Sequence, residues 1–402
     1  MPGSVLAVDI GGTKFAAALV DSGGGVHRAR RVATPQGGDA HTLWKTLTGL
    51  IDSVLDDSGA DGSPPGGSGS DSRAGSGAGA FRVEGVGVGC GGPMIWPDGV
   101  VSPLNMPGWR GFPLRARLAE RFPGVPVRVH NDAVCLAVAE HWKGAGRGSP
   151  GMLGMVVSTG VGGGLILGGR LIHGGSGNAG HIGHVVVEPG GPLCGCGARG
   201  CLEAVARGPG LAAWAVGQGW IPGAAAGQSR SLETAVGQDR NPNTAAEPGR
   251  GPGTASPPSA ARDSADHMDH GVHADHMDHV DSVAPADPAD YVETAAASGR
   301  RLALDAGAGD EIALAAMNRA GRALGLAIAS AVNLCDLDVV TIGGGLSQAG
   351  HLLFGPLETT FRDHTRMEFA RRTRILPAAL GQDAGLIGAA ALILAATHYW
   401  PH

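Results

Sequence analysis

Two α/β domains facing a cleft are predicted for this 402-residue chain. Three observations carry the prediction. The stretch "SVLAVDIGGTKFAAALVDSGG" (4–24) reads as strand, glycine turn and second strand, because apolar β-formers flank "GGT" on both sides. The same device recurs in "GMLGMVVSTGVGGGLILGGRLIHGG" (151–175). A helix, a buried strand and a third glycine turn then read from "DEIALAAMNRAGRALGLAIASAVNLCDLDVVTIGGGLSQAG" (310–350). The first domain is expected at 1–124 and the second at 125–402, with the last helix crossing back onto the first.

The remaining elements follow in order. An amphipathic stretch lies around Leu43 to Leu55, and "DDSGADGSPPGGSGSDSRAGSGAGA" (56–80) has too little apolar surface to order itself, so a flexible insertion is expected. "FRVEGVGVGCGGPM" (81–94) is a strand ending in glycines, followed by the loop "PLNMPGWRGFPL" (103–114). "VPVRVHNDAVCLAVAEHW" (125–142) is a strand running into a helix, with Asn131 and Asp132 at the junction, where short polar side chains cap helices. Residues 222–299 turn to Ala, Gly, Pro, Asp and His, with "DHMDH" at 266 and at 275; composition predicts a disordered insertion whose histidines have no fixed coordination geometry. The chain closes on an apolar, Ala-rich helix from about Asp383.

Composition bounds the function. With 43% hydrophobic residues the chain has material for sizeable cores. Its formal charge of -6 and isoelectric point near 6.2 argue against nucleic-acid or membrane-surface partners. No signal-peptide plan and no apolar run of about twenty residues is read, so a cytoplasmic location is expected, where clustered cysteines bind metal more often than they pair.

The glycine turns suggest phosphate chemistry. In "DIGGTK" the backbone N–H groups after a strand can approach phosphate oxygens, Thr13 and Lys14 add a hydroxyl and a positive charge, and Asp9 is placed to hold Mg²⁺ through water. The pattern is neither a Walker A loop nor a dinucleotide fingerprint, and a plain hairpin turn is the alternative reading. "STGVGGG" (158–164) and "IGGGLSQAG" (342–350) are further turns of this kind, the last opening a helix. One suits a β-phosphate, one a γ-phosphate and one the adenosine. A phosphoryl acceptor then needs a base for its hydroxyl proton, and Asp132 is the best candidate, with simple helix capping as the alternative.

"HIGHVVVEPGGPLCGCGARGC" (181–201) holds three of the six cysteines. The spacing C-x-C-x4-C with an upstream histidine supplies His184, Cys194, Cys196 and Cys201, a closed set of four for structural Zn²⁺. A Cys194–Cys196 disulfide would be badly strained; unmetallated thiols are the alternative. His181 and Glu203 are the polar groups best placed for such a braced loop to aim at a small ligand.

Together, DIGGTK, HND, STGVGGG, the IGH of 182–184, CGCGARGCLE and the late IGGGL resemble the ROK family of sugar kinases and repressors, over nearly the whole chain outside 56–80 and 222–299. The resemblance implies an actin-like/hexokinase ATPase fold, two domains around a central cleft, closing over ATP, Mg²⁺ and a hexose, as a homodimer or homotetramer. Asp132 then looks like the catalytic base. Gly92, Asn131, Asp132, His184 and Glu203 look like sugar contacts, with His184 also a zinc ligand. Asp9, Gly11, Gly12, Thr13 and Lys14 resemble the phosphate loop, Thr159, Gly160 and Gly162 the second phosphate site, and Gly344 and Gly345 the nucleotide turn. One departure stands out: the family's ExGH reads H-I-G-H, so His181 replaces a carboxylate, and a neutral imidazole accepts one hydrogen bond rather than two. The expected activity is glucokinase-like transfer of the γ-phosphoryl group to the sugar 6-hydroxyl, with an N-acetylhexosamine kinase as the alternative. A repressor is disfavoured, since the phosphate strand begins at Ser4 and leaves no room ahead of it for a winged helix.

Overall fold

The structure is a computed structural model and describes residues 3–56, 82–224 and 298–400. The expected insertions at 56–80 and 222–299 therefore lie, apart from their ends, outside the described residues.

Two five-stranded sheets form the frame, and they repeat one plan. In the first, β1 (Ser4–Ile10), β2 (Lys14–Val20) and β3 (Val26–Ala33) run antiparallel to their neighbours, and β4 (Val83–Cys90) joins β1 in parallel. A small ribbon of β5 (Met94–Ile95) and β6 (Val100–Val101) follows, and then β7 (Val127–Asn131) adds in parallel beside β4, giving the order β3-β2-β1-β4-β7. The second sheet has the order β10-β9-β8-β11-β12, built from β8 (Gly151–Val157), β9 (Val161–Leu167), β10 (Arg170–Leu171), β11 (Val339–Gly343) and β12 (Arg374–Pro377). In each, an antiparallel arm leads into two parallel strands that only crossover segments can connect.

One boundary differs from the sequence reading. β7 pairs Val86 with Val127 and Cys90 with Asn131, so it completes the first sheet, whereas a boundary at Gly124 assigns it to the second domain. Parallel pairing between distant segments leaves no local signal in the sequence.

The helices cover and join the sheets. α1 (Ala40–Leu55) starts at Asp39, whose carboxylate accepts from the Thr42 N–H at 2.7 Å, and buries Leu43, Leu47, Leu50, Ile51 and Val54 at helical spacing. α2 (Leu114–Arg121) leads into β7, and α3 (Asp132–Trp142) leaves it without a loop. After α4 (Leu202–Ala206), α5 (Gly208–Gly217) and α6 (Gly299–Gly307) comes α7 (Glu311–Cys335). By length and composition α7 could cross a membrane, contrary to the expectation that no such apolar run exists, but its Ala316, Met317, Leu324 and Ile328 are buried with Leu353, Leu357 and Phe361 of α8 (His351–His364) in the second core. α9 (Glu368–Arg371) precedes β12, and α10 (Ala384–Leu394) and α11 (Ala396–Tyr399) close the fold.

Between the sheets lie α3 and α10, in contact with each other and with β1, β4, β8 and β9. Their cluster joins Val5 and Ala7 of β1 to Val134 and Ala137 of α3 and to Leu386, Ala389 and Leu392 of α10. Glycines make the approach possible. A Cβ at Gly388 would lie 1.7 Å from the Cys135 carbonyl oxygen, one at Gly87 1.9 Å from that of Ala389, and one at Gly154 2.5 Å from Ala137. The helix α10 thus packs on β1 and β4 of the first sheet. The close packing of this joint fixes the start of α3, and with it Asp132, relative to both sheets.

Candidate active site

The site is assembled where the sheets' strand ends meet α3. Asn131 caps that helix: its Oδ1 accepts from the Ala133 N–H at 3.0 Å, and Asp132 Oδ1 accepts from the same N–H at 2.8 Å. Asn131 holds the N-cap position, and the two side chains share this one N–H at the start of α3. Burial raises the Asp132 pKa, the Ala133 N–H opposes this, and the Glu203 charge adds to it.

Three of the expected sugar contacts converge beside this junction. A Cβ at Gly92 would lie 3.0 Å from Asn131 Nδ2 and 3.6 Å from His181 Cε1, so a side chain there would crowd Asn131. The His181 ring stacks on that of His184 at 5.9 Å between centroids. Burial, then the neighbouring His184, lowers the His181 pKa, with Glu203 opposing, which keeps the imidazole neutral near pH 7. Glu203, in the first turn of α4, accepts from the Val161 N–H at 2.9 Å, and its Oε2 would stand 2.9 Å from a Cβ on Gly160. It ties the expected sugar side to the second glycine turn.

The first glycine turn is braced from β3 and from the 103–114 loop. Its Gly11 N–H donates to the Lys14 carbonyl at 3.1 Å, Thr34 Oγ1 donates to the Gly11 carbonyl at 2.7 Å, and Gln36 Nε2 donates to that of Gly12 at 3.0 Å. The N–H groups of Gly12 and Thr13 have no acceptor among the described residues, and Thr13 and Lys14 are exposed. Consecutive free N–H groups of this kind suit an anion. Asp9 lies behind the turn. Burial pushes its carboxyl up to about 7, helped by the Asp132 charge and opposed by Lys14 and Arg31.

The second and third turns touch. The Gly160 carbonyl accepts from the Ser158 N–H at 2.9 Å, leaving the N–H groups of exposed Thr159 and of Gly160 without an acceptor among the described residues. Gly344 has φ +95° and its missing Cβ would stand 2.4 Å from the Val157 carbonyl oxygen, while a Cβ on Gly345 would be 3.7 Å from Ser158 Oγ. Gly162 has a different neighbour. A Cβ there would meet the Ala133 Cβ at 2.7 Å, so this glycine serves the packing of α3 on β9. Asn105 was not singled out from sequence, yet its Nδ2 lies 2.1 Å from where a Gly12 Cβ would be. Its only local signal is a polar residue in a mostly apolar, Pro-rich loop.

The His184, Cys194, Cys196 and Cys201 ligand atoms all lie within 4.8 Å of one another. Cys194 Sγ is 3.7 Å from His184 Nδ1 and Cys196 Sγ 3.8 Å from Cys201 Sγ. A tetrahedral site with Zn–S bonds of about 2.3 Å has S···S edges of about 3.8 Å, the spacing of these two pairs, so this donor set could hold such an ion. Burial and the adjacent thiols push Cys201 up to about 12, whereas the Ala198 backbone lowers Cys196. The cluster lies next to two of the expected sugar contacts: His181 precedes His184 by one 3₁₀ turn, and Cys201 occupies the N-cap position of α4, which carries Glu203.

The comparisons agree with this geometry. The ROK family matches residues 77–244 and 281–396. The chain is 28% identical to the glucokinase of Thermotoga maritima over 392 residues, 97% of this chain and 96% of that one. It is 32% identical to the glucokinase of Halalkalibacterium halodurans over 77% of this chain and 76% of the relative, and 35% identical to the N-acetylmannosamine kinase of Escherichia fergusonii over 56% and 67%. Among solved structures, a ROK family glucokinase from Streptomyces griseus in complex with glucose and AMPPNP superposes with a TM-score of 0.66 at 27% identity, covering 97% of this chain and 99% of that one. A ROK hexokinase from Thermus thermophilus gives 0.62 at 28%, covering 96% of each. The family match takes in every part of the cleft described above except the first glycine turn, and the chain belongs to the ROK family.

Proposed function

We propose that this protein is an ATP-dependent hexose kinase of glucokinase type. The observation that carries the reading is the convergence of Gly92, Asn131 and His181 on the junction that carries Asp132, with the second glycine turn tied to Glu203 and in contact with the third. The glucokinase relatives, and the glucose and AMPPNP held by the Streptomyces griseus enzyme, support it.

In this mechanism Gly92, Asn131, His181, His184 and Glu203 bind and orient the sugar, and the Asp132 carboxylate takes the 6-hydroxyl proton as that oxygen attacks the γ-phosphorus. The new O–P bond forms as the bond to the β-phosphate oxygen breaks, and ADP leaves with that electron pair. A carboxylate with a raised pKa is a stronger base than an ordinary one, which suits this proton transfer. Gly11, Gly12, Thr13 and Lys14, with Thr159 and Gly160, hold the phosphates, and Gly344 and Gly345 the nucleoside side. Asp9 fits Mg²⁺, since its buried carboxyl and Asp132 repel one another; that ion supplies charge neutralisation to the transferred phosphoryl group. His184, Cys194, Cys196 and Cys201 hold a structural Zn²⁺, which supplies a fixed brace for the loop that aims His181 and Glu203.

The reading is tested by coupled ADP release over glucose, mannose, fructose, N-acetylglucosamine and N-acetylmannosamine. Glucose-dependent ADP formation is expected to exceed the others. A clear preference for N-acetylmannosamine would transfer the assignment to the activity named for the Escherichia fergusonii relative.

A further inference from the structure

Behind Asn131 lies a buried aromatic group that the reaction does not use directly. His130 is fully buried, and its Nδ1 accepts from the Asn131 N–H at 2.8 Å. An amide can only donate, so His130 must carry its own proton on Nε2. That nitrogen lies 3.1 Å from His173 Nδ1, which must therefore accept, placing the His173 proton on Nε2. Burial lowers both rings, His130 to about 3 and His173 to about 4, in keeping with a neutral pair of one defined tautomer.

His173 also meets the loop after β4. The Trp96 ring stacks on it at 4.7 Å and 26° between planes, and Trp400 stands edge-on to both histidines. Trp96 Nε1 is buried without a partner among the described residues, so packing rather than a hydrogen bond places this ring. Two further contacts join the same segments: Asn178 Nδ2 donates to the Met94 carbonyl at 3.1 Å, and Gly177, at φ +78°, leaves room for Trp96, whose Cβ would lie 2.1 Å from a Gly177 Cβ. One segment thus begins at Gly92 and reaches Trp96, and the other begins at His173 and reaches His181. They dock on each other and on β7, and their far ends are the groups that line the expected sugar site.

We propose that His173, with His130 and Trp96, is a positioning residue for the sugar: the ring pair and its stack fix Gly92, Asn131 and His181 relative to one another. The proposal rests on the sugar-kinase reading. Asp132 accepts from the Ala133 N–H, which Asn131 Oδ1 shares, while the ring pair and its stack touch the segments that carry the sugar contacts, so the frame is expected to act on ground-state sugar binding more than on the chemical step.

The test compares His173→Leu, which removes the acceptor, with His173→Asn, whose Oδ1 can replace Nδ1 as acceptor. Glucose Kd is measured by calorimetry without nucleotide, together with KM and kcat. Loosening Gly92, Asn131 and His181 by about one hydrogen bond's worth of sugar interaction is expected to weaken sugar binding roughly tenfold. His173→Leu is expected to raise Kd and KM by that factor with a smaller change in kcat, and His173→Asn to restore most of the loss. A folded His173→Leu protein with unchanged Kd and KM overturns the proposal, as does an equal loss in both variants. Should His173→Leu fail to fold, Trp96→Ala is judged by the same Kd and KM; if that variant also fails to fold, the group holds the fold rather than the pocket and the proposal is rejected. A wild-type protein that binds and phosphorylates none of the sugars refutes the kinase reading itself, whereas an active wild type with unaffected variants refutes only the positioning role.

Discussion

Replacing Cys196 by serine isolates the contribution of the metal cluster. Cys196 is the exposed ligand of the four, so the change removes little packing and acts through coordination. Without the ion, the loop is held by backbone contacts such as the Leu202 N–H to the Val185 carbonyl at 2.8 Å and the Cys194 N–H to that of Ala198 at 2.8 Å. An ion linking His184 to Cys201 closes a loop of roughly 18 residues, and the cross-link model assigns such a closure about 3 kcal/mol. At about 2–4 °C per kcal/mol, the unit carrying the cluster should melt roughly 6–12 °C lower. Catalysis should fall further than stability suggests, because His181 and Glu203 hang from the two ends of the loop, and a misplacement of about 1 Å costs on the order of a hundredfold. The assay pairs metal content and Tm with kcat/KM for sugar. Wild-type protein should carry one zinc per chain and the variant much less. Metal-free wild type with full activity, or a variant with unchanged Tm and kcat/KM, would refute the reasoning.

Other perturbations follow from the same geometry. Asp9 titrates at about 7, so it is about 10% ionised at pH 6 and about 90% at pH 8, and the KM for magnesium–nucleotide should fall over that range. The stability sign is opposite: a folded pKa raised above the unfolded one contributes fully below pH 3.8 and is lost as pH rises through about 7, so metal-free protein should lose Tm between pH 4 and pH 7; a flat KM from pH 6 to 8 would contradict the assignment. Gly344→Ala places a Cβ 2.4 Å from the Val157 carbonyl oxygen at φ +95°, and the left-handed backbone alone costs about 1–2 kcal/mol. Its Tm should drop, and KM should rise for nucleotide more than for sugar; an unchanged nucleotide KM would remove the turn from the nucleotide site.

Much of this was legible in the sequence, and the parts that were not share a cause. The hairpins β1–β2 and β8–β9 and the helices α3 and α7 announce themselves through local periodicity, and the metal ligands through spacing. By contrast β3 is half-exposed and rich in arginine, so it lacks an apolar signature and is defined only by pairing with β2. The glycines of "VGVGC" and "GVGGG" look alike on paper, yet Gly87, Gly154 and Gly162 make room for helices, while Gly12 and Gly160 belong to turns with unpaired N–H groups. Only the partner across the sheet tells them apart. The His130, His173 and Trp96 group draws on three remote segments; His130 stands in the HND motif, but nothing local to it points to His173 or Trp96.

The central claim, that the Asp132 junction is where a sugar hydroxyl is activated, is tested most directly by Asp132→Asn measured for both glucose binding and ADP release. General-base catalysis is worth about 10²–10⁴-fold, so turnover should fall at least a hundredfold while the glucose Kd stays within a few-fold of wild type. Wild-type turnover in that variant would contradict the account.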